Sequence, residues 1–375
     1  MATVHVIGMD THGKTTDICC KTSARAKGRC WHVATTIPAL REVIESIARP
    51  RHLTFEEGPL ADWLHRELDE YVDEILVSDP RRNALIAKDG DKDDPIDAGK
   101  LVDLYCGGYL RGVHHSGDLA RTVFKRLVGL YHERVEHRVS ESNKIIGWLK
   151  GWGIVVGESS FATEADREVL LEELMKRGGA QKTEKPEGER PEKGKRAQRV
   201  EKGMMEAMGE NLRLLWGGYD QAMEQEVQLG RELERAAKKD EAVMRLTELP
   251  GIAYVRAATL VAYLDTPFRF RSKSALWKYM GIGLVLERSG EGRGWLHVEQ
   301  ACNRRLKSVI LGAAQSAIMQ GENPFAVQYQ AWLKGGLSAV NAKRNVARSL
   351  ATTAWGMWKS KSVYDPSRVV VSGGQ

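Results

Sequence analysis

The sequence predicts an α/β layer domain over residues 1–117, a helical coiled-coil arm over 118–245 and a mostly α-helical domain over 246–375. Three observations carry that division. Short apolar runs of strand length alternate with stretches of helical spacing as far as Tyr105, the pattern of strands layered with helices. Leu119, Val123, Leu127 and Tyr131 then recur at four-residue spacing among Arg, Lys, His and Glu, which describes one face of a long helix. From Leu249-Pro250-Gly251 onward, apolar helical stretches are separated by basic and Gly-rich segments.

Within the first region, Val4–Met9 reads as a buried strand and Thr16–Cys20 as a second strand after the turn around Gly13. Leu40–Ile47 has helical spacing, and Leu53–Phe55 is a short strand. Pro59 stands at a first helical position before Leu60–Leu68, where its missing N–H costs nothing. Val72–Val77 is a further strand, and Asp97–Tyr105 a helix. The arm reads as helix over 118–149 and 164–175, then again from Val200 to Leu246. Between them, Lys176–Arg199 is charged, contains Pro and Gly, and has almost no apolar residues. Such a segment is expected as a flexible loop, because it buries too little surface to offset ordering. In the last region a helix to Leu264 and another to Met280 precede a Gly-rich loop, Gly281–Gly294. Helices follow at Cys302–Met319 and Val346–Lys359, and no internal repeat is evident.

Composition excludes several classes. At 375 residues and 42% hydrophobic content the chain can build more than one core. No apolar run approaches the ~20 residues of a membrane span, and the first residues lack the basic segment and hydrophobic core of a secretory signal. Five cysteines, with no Cys-x-x-Cys, argue against a disulfide framework or a zinc site. A cytoplasmic protein with no membrane association is expected. The net charge is +6, yet residues 251–375 hold 17 Lys and Arg against 6 Asp and Glu, so the first 250 residues are net acidic. A basic C-terminal region suits phosphate backbones; a solvated cationic surface is the plainer reading, and the segregation of sign favours nucleic acid.

The acidic half carries the first candidate site. Asp10 ends the run Val4–Met9, Glu56 and Glu57 follow Leu53-Thr54-Phe55, and Asp94 and Asp97 stand three apart at the start of a helix. Singly, each is a turn residue or an acid favouring a helix N-terminus. Together they lie where an α/β sheet presents its strand ends, and oxygen-only ligands suit Mg²⁺. Paired ions of that kind assist phosphodiester chemistry. The second candidate is Ser289, flanked by Arg288, Gly290, Gly292, Arg293 and Gly294. Ser-Gly alone marks a turn; with flanking arginines and close backbone approach, the hydroxyl is also a candidate nucleophile toward phosphorus. Leu249-Pro250-Gly251-Ile252 resembles a helix–hairpin–helix turn, whose N–H groups bind phosphate without reading sequence; a Gly turn between packed helices reads the same. Arg269, Arg271, Lys273, Arg304, Arg305, Lys307, Lys343, Arg344 and Arg348 are further candidate phosphate contacts.

Taken in order, Gly8-Met9-Asp10, Phe55-Glu56-Glu57-Gly58, Asp94-Pro95-Ile96-Asp97-Ala98, Leu249-Pro250-Gly251-Ile252, Arg269-Phe270, Arg288-Ser289-Gly290 and Asn303-Arg304-Arg305-Leu306 span nearly the whole chain. That ordered set resembles the insertion-sequence transposases that join an N-terminal DEDD domain of RuvC-like (RNase H-like) fold to a C-terminal serine domain, the bridge-RNA-guided recombinases. The resemblance implies that Asp10, a Glu, Asp94 and Asp97 hold Mg²⁺ and that Ser289 becomes linked to DNA. It also implies donor and target DNA and a structured noncoding RNA as partners, with assembly as a homodimer or homotetramer. The stretch Glu56-Glu57-Gly58 is one residue shorter than the family pattern, so Glu56 and Glu57 both qualify; Glu56, the first carboxylate after the strand, is preferred. Two rival functions remain: a metal-dependent junction nuclease using water, and a non-catalytic nucleic-acid-binding assembly protein.

Overall fold

A computed structural model describes residues 3–80, 94–179, 191–287 and 294–369. The chain divides into two compact units, Met1–Val123 and Phe124–Gln375. Among the described residues no helix is long and apolar enough to cross a membrane.

The first unit is a mixed sheet with helices on both faces. Its elements are β1 (His5–Thr11), β2 (Thr15–Lys21), β3 (Arg29–Ala34), α1 (Ile37–Glu45), β4 (Arg51–Glu56), α2 (Ala61–Leu68), β5 (Glu74–Ser78) and α3 (Asp94–Cys106). The strand order is β3-β2-β1-β4-β5. β1, β2 and β3 pair antiparallel in sequence order, whereas β4 and β5 join parallel to β1 and to each other. Parallel neighbours need a crossover, and α1 and α2 provide them. Three antiparallel strands continued by two parallel ones are consistent with an RNase H-like start.

Alternation along β1 decides which helix meets which face. Ile7 and Met9 are buried with Leu53, Phe55, Leu40, Ile44 and Leu64, so that face carries α1 and α2. Gly8 faces the other way, toward α3. A Cβ at Gly8 would lie 2.3 Å from the Ala98 carbonyl oxygen and 2.8 Å from Val102 Cγ2. Only glycine lets the helix backbone approach β1 so closely.

Two features of this unit differ from the sequence reading. β3 is an extra strand; its burial alternates between exposed and half-buried, as on a sheet edge, and so it lacks the apolar run that marks the central strands. Pro59 lies in the turn before α2, which begins at Ala61.

The second unit is helical apart from one hairpin. Its elements are α4 (Leu119–Gly151, continuing from the end of the first unit), α5 (Glu164–Gly179), α6 (Pro191–Ala237), α7 (Glu241–Leu246), α8 (Tyr254–Leu264), α9 (Lys273–Tyr279), β6 (Leu284–Glu287), β7 (Trp295–Val298), α10 (Arg304–Met319), α11 (Pro324–Lys334) and α12 (Ala339–Ser360). α4 and α6 run antiparallel. A Cβ on Gly230 would lie 3.5 Å from the Tyr131 ring, Arg138 pairs with Glu226 at 2.6 Å, and Glu141 lies beside Gly218. Ile145, Leu149, Phe161, Leu170, Leu174, Leu212 and Trp216 form the core of this arm. Its base, from Val128 to Leu233 and Ala237, packs into a separate core with α8, α10 and α12.

The charged stretch Lys176–Arg199 is shorter as a connection than expected, because α5 continues to Gly179 and α6 starts at Pro191. Lys- and Glu-rich sequence propagates a helix already nucleated by a packed portion at little cost. The Gly-rich stretch expected as a loop, Gly281–Gly294, contains β6, which pairs antiparallel with β7 just beyond it, from Leu284↔Val298 to Glu287↔Trp295. Short apolar runs flanking a Gly-rich turn are hairpin signals. α11 was also not expected from the sequence. Asn323 begins it by accepting from the Phe325 and Ala326 N–H groups, with Pro324 in the first turn.

Candidate active site

The carboxyl edge of the first unit's sheet gathers the acidic residues. β1 and β4 pair up to Met9↔Phe55, so Asp10 and Glu56 take the next positions on adjacent parallel strands. Asp10 is 28% exposed, with His12 Nε2 at 3.5 Å from its carboxylate. Across the antiparallel pairing Asp10 faces Asp17, at a spacing where side chains interact directly. Asp17 is buried and accepts a hydrogen bond from His32 Nδ1 at 3.0 Å. That contact gives the inner acid a partner beside its neighbour's charge.

Asp97 rides on α3, 43% exposed, and pairs with Lys100 at 3.1 Å. Asp94 begins the same helix, and its side chain lies outside the described residues. Three-residue spacing puts the two on one helical face, and the close packing of Ala98 on Gly8 holds that helix against β1. Among the described residues no three His, Cys, Asp or Glu side chains converge on one metal position. The donors that are described at this edge, Asp10 and Glu56, are carboxylates, which fit a hard cation and not a thiophilic one.

Glu57 belongs to a different arrangement. Its N–H donates to the Ser78 carbonyl, and its carboxylate accepts from His115 Nε2 at 2.5 Å. His115 Nδ1 donates to Asp62 at 2.7 Å, and the ring stacks on His65 at 5.6 Å. The segment bearing His115 reaches this edge because Gly112 bridges to Ser78 and the Val113 N–H donates to Val77. Burial pulls the His115 pKa down, but hydrogen bonds and charge from Asp62 and Glu57 outweigh it and raise the value to about 9. An imidazolium donating from both nitrogens results. Sequence reading missed His115, Asp62 and Asp17. A polar residue within the otherwise buried β2 was the one visible signal for Asp17; nothing in the sequence connects His115 to Glu57.

In the second unit, Arg288, Ser289 and Arg293 lie outside the described residues, in the segment joining β6 to β7. The foot of that hairpin is described. Arg348 Nε donates to the Ile282 carbonyl at 2.6 Å, and its Nη1 to Asn345. Burial, then the charge of Arg344, lowers the Arg348 pKa. A cation in that setting is better solvated by an added anion. Lys307 packs beside Gly281, whose φ is +67°.

The remaining predicted cations divide into two groups. Arg269 stacks on Tyr279 at 4.4 Å and donates to the Tyr263 carbonyl, and Arg305 bonds the Tyr263 hydroxyl and Glu136. Both are thus engaged within the fold. Arg271, Lys273 and Arg304 are exposed, and Lys343 and Arg344 half-buried on α12. Gly251 is buried: at φ +78° a Cβ there would sit 2.3 Å from the Ala313 carbonyl oxygen, so its conformation serves packing on α10. Arg256, which the sequence reading passed over, donates to the Gly251 carbonyl and to Ser316 Oγ.

Residues 243–330, from α7 into α11, match the family model described as Transposase IS116/IS110/IS902 family. The chain is also 26% identical over 137 residues to the insertion element IS116 uncharacterized 44.8 kDa protein of Streptomyces clavuligerus. That similarity covers 36% of this chain and spans about a third, 34%, of the relative's length. Over residues 243–330 of its second unit, the chain is similar to the transposases of the IS116/IS110/IS902 family.

Proposed function

We propose that the chain is a DNA transposase that cuts and rejoins strands through a serine–DNA intermediate. The observation that carries this reading is the transposase match over residues 243–330, which brackets the hairpin containing Ser289. In the reaction, Ser289 Oγ forms a bond to phosphorus as the phosphorus–oxygen bond to the departing deoxyribose breaks. The serine proton is lost and the leaving oxygen gains one. Attack by a second strand's hydroxyl reverses the sequence and frees the serine. Arg348 and Lys307 at the hairpin foot, with Arg288 and Arg293 beside the serine, would neutralise the phosphate.

Asp10, Glu56, Asp94 and Asp97 would hold Mg²⁺, which when bound supplies positive charge at a scissile phosphate. The position of Asp10 and Glu56, each one residue beyond the Met9–Phe55 pair on adjacent parallel strands, supports that assignment. Exposed Arg271, Lys273 and Arg304 would contact DNA or a structured guide RNA. Base pairing by that RNA would select donor and target, as in other systems where protein reads shape and pairing reads sequence. The antiparallel α4–α6 arm offers a surface for assembly into a homodimer or homotetramer.

The test is an adduct assay on protein expressed with the DNA flanking its gene. Labelled flanking DNA and Mg²⁺ are supplied, and denatured samples are examined for a protease-sensitive protein–DNA band. A band lost in Ser289→Ala is expected. Cleavage without a band would replace this reading by a hydrolytic nuclease; neither cleavage nor band would reduce it to nucleic-acid binding.

A further inference from the structure

The first unit has a second charged feature, at the opposite edge of its sheet. A cleft of about 280 Å³ opens between the β2–β3 hairpin and the segment leading from α1 to β4. His5, Lys21, Lys27, Arg29, Trp31 and Ser46 line it, and no Asp or Glu does. His5 starts β1 whereas Asp10 nearly ends it, so five residues separate the cleft from the carboxylate edge, about 16 Å along the strand.

The charge of this cleft runs against its surroundings. Residues 1–123 hold 20 Asp and Glu against 16 Lys and Arg, yet the cleft wall is cationic. Lys21 is neutralised by Asp103 at 2.7 Å. Lys27 and Arg29 pair with no carboxylate among the described residues. Arg29 lies over the Trp31 indole at 4.7 Å, which fixes a guanidinium plane and an aromatic side by side; bases stack on surfaces of both kinds.

We propose that this cleft binds the phosphodiester backbone of a nucleic acid, with Lys27 and Arg29 on phosphate and the Arg29–Trp31 stack against sugar or base. The inference rests on the reading above that the chain handles nucleic acid, and it places a contact surface away from the carboxylates. Exposed cations on a solvated hairpin usually contribute nothing specific; the acid-free lining and the stacked Arg29–Trp31 pair together set this cleft apart.

The experiment is fluorescence anisotropy of the full chain with labelled single-stranded RNA, single-stranded DNA and duplex DNA across a salt series. Lys27→Glu with Arg29→Glu is expected to weaken binding about tenfold or more, and to reduce the slope of log K against log salt by about 1.4–1.8. Loss confined to RNA or to DNA identifies which backbone the cleft takes, and both results support the site. Lys27→Gln with Arg29→Gln repeats the measurement should charge reversal disturb the hairpin, with circular dichroism checking the fold. Wild-type affinity and salt slope in both folded variants would overturn the proposal while leaving the transposase reading intact. A wild-type chain that binds none of the three would overturn both.

Discussion

His115 donates to Glu57 at 2.5 Å and to Asp62 at 2.7 Å while remaining 2% exposed. A charged imidazole that is so buried persists only because both nitrogens meet carboxylates. Glu57 is thereby engaged on one side of the sheet edge, and Glu56, its neighbour, extends the strand position beside Asp10.

The His115 clamp makes the first unit sensitive to alkali. Its folded-state pKa of about 9 lies above the ordinary 6.5, so folding takes up a proton between those values. The stabilisation is complete below pH 6.5 and is lost as pH rises through 9. About 2 kcal/mol is expected, less than the full linkage because the partner carboxylates are partly exposed. Urea unfolding followed across that window should show the decline. His115→Gln should flatten it; an unchanged slope in the variant would place the alkaline loss elsewhere.

Glu56 and Glu57 should separate by function. Glu56→Gln is expected to weaken Mn²⁺ binding, measured by calorimetry, by about tenfold or more, with stability nearly unchanged. Glu57→Gln removes one charge-assisted bond and should cost about 1–2 kcal/mol of stability, leaving Mn²⁺ affinity within about twofold. The reverse pattern would make Glu57 the ligand.

Much of this was legible in the sequence, and the missing parts have physical reasons. The inner strands β1, β2 and β4 were visible because their faces are covered, giving near-continuous apolar runs, and β5, though an edge strand, was visible through Ile75-Leu76-Val77. β3 was not, since Arg29-Cys30-Trp31-His32 lies on an edge and shows no buried face. Asp10 and the Glu pair were visible as acids ending such runs. His115 was not, because its partners Glu57 and Asp62 are more than fifty positions away and meet it only through pairing of Gly112 with Ser78. Gly251 was visible as a turn, but its partner surface on α10 is set by tertiary packing.

His132 should give the second unit the opposite pH response. Its Nε2–H donates to Thr259 Oγ1 at 2.8 Å, and that hydroxyl donates onward to Val255, a bond that the ring makes in either protonation state. Burial, then the nearby charge of Arg305, lowers its pKa to about 4, against a small opposing effect from Glu136. The unfolded chain therefore binds the proton first. Stability is lost as pH falls from 6.5 toward 4, by at most about 3 kcal/mol. Scanning calorimetry should show acid lability in the wild type and less of it in His132→Gln. Equal lability in both would exclude His132 as the cause.

Gly251→Ala should unfold or loosen the second unit. The left-handed backbone costs a non-glycine residue about 1–2 kcal/mol, and the added methyl would meet the Ala313 carbonyl at 2.3 Å and the Ala317 nitrogen at 2.8 Å. Neither is the end of a flexible side chain, so α8 and α10 must part. A combined loss of about 3 kcal/mol or more is expected by chemical denaturation. A loss below about 1 kcal/mol would mean that the turn adjusts without moving the helix.

Gly8→Ala tests whether packing on β1 sets the acidic site. The new methyl would lie 2.3 Å from the Ala98 carbonyl and 2.8 Å from Val102 Cγ2, so α3 has to move off the sheet. Asp94 and Asp97 ride on α3, whereas Asp10 and Glu56 are fixed on strands. Overpacking of this kind costs about 1–3 kcal/mol, which a well-packed unit survives. The larger effect should be on geometry, with Mn²⁺ affinity falling about tenfold or more, because a hard cation tolerates little displacement of its oxygen ligands. Gly13→Ala is the control, since a Cβ there meets nothing within 4 Å; its metal affinity should match the wild type. A folded Gly8→Ala protein with unaltered Mn²⁺ binding would show that the carboxylates on α3 do not share a metal with those on the strands.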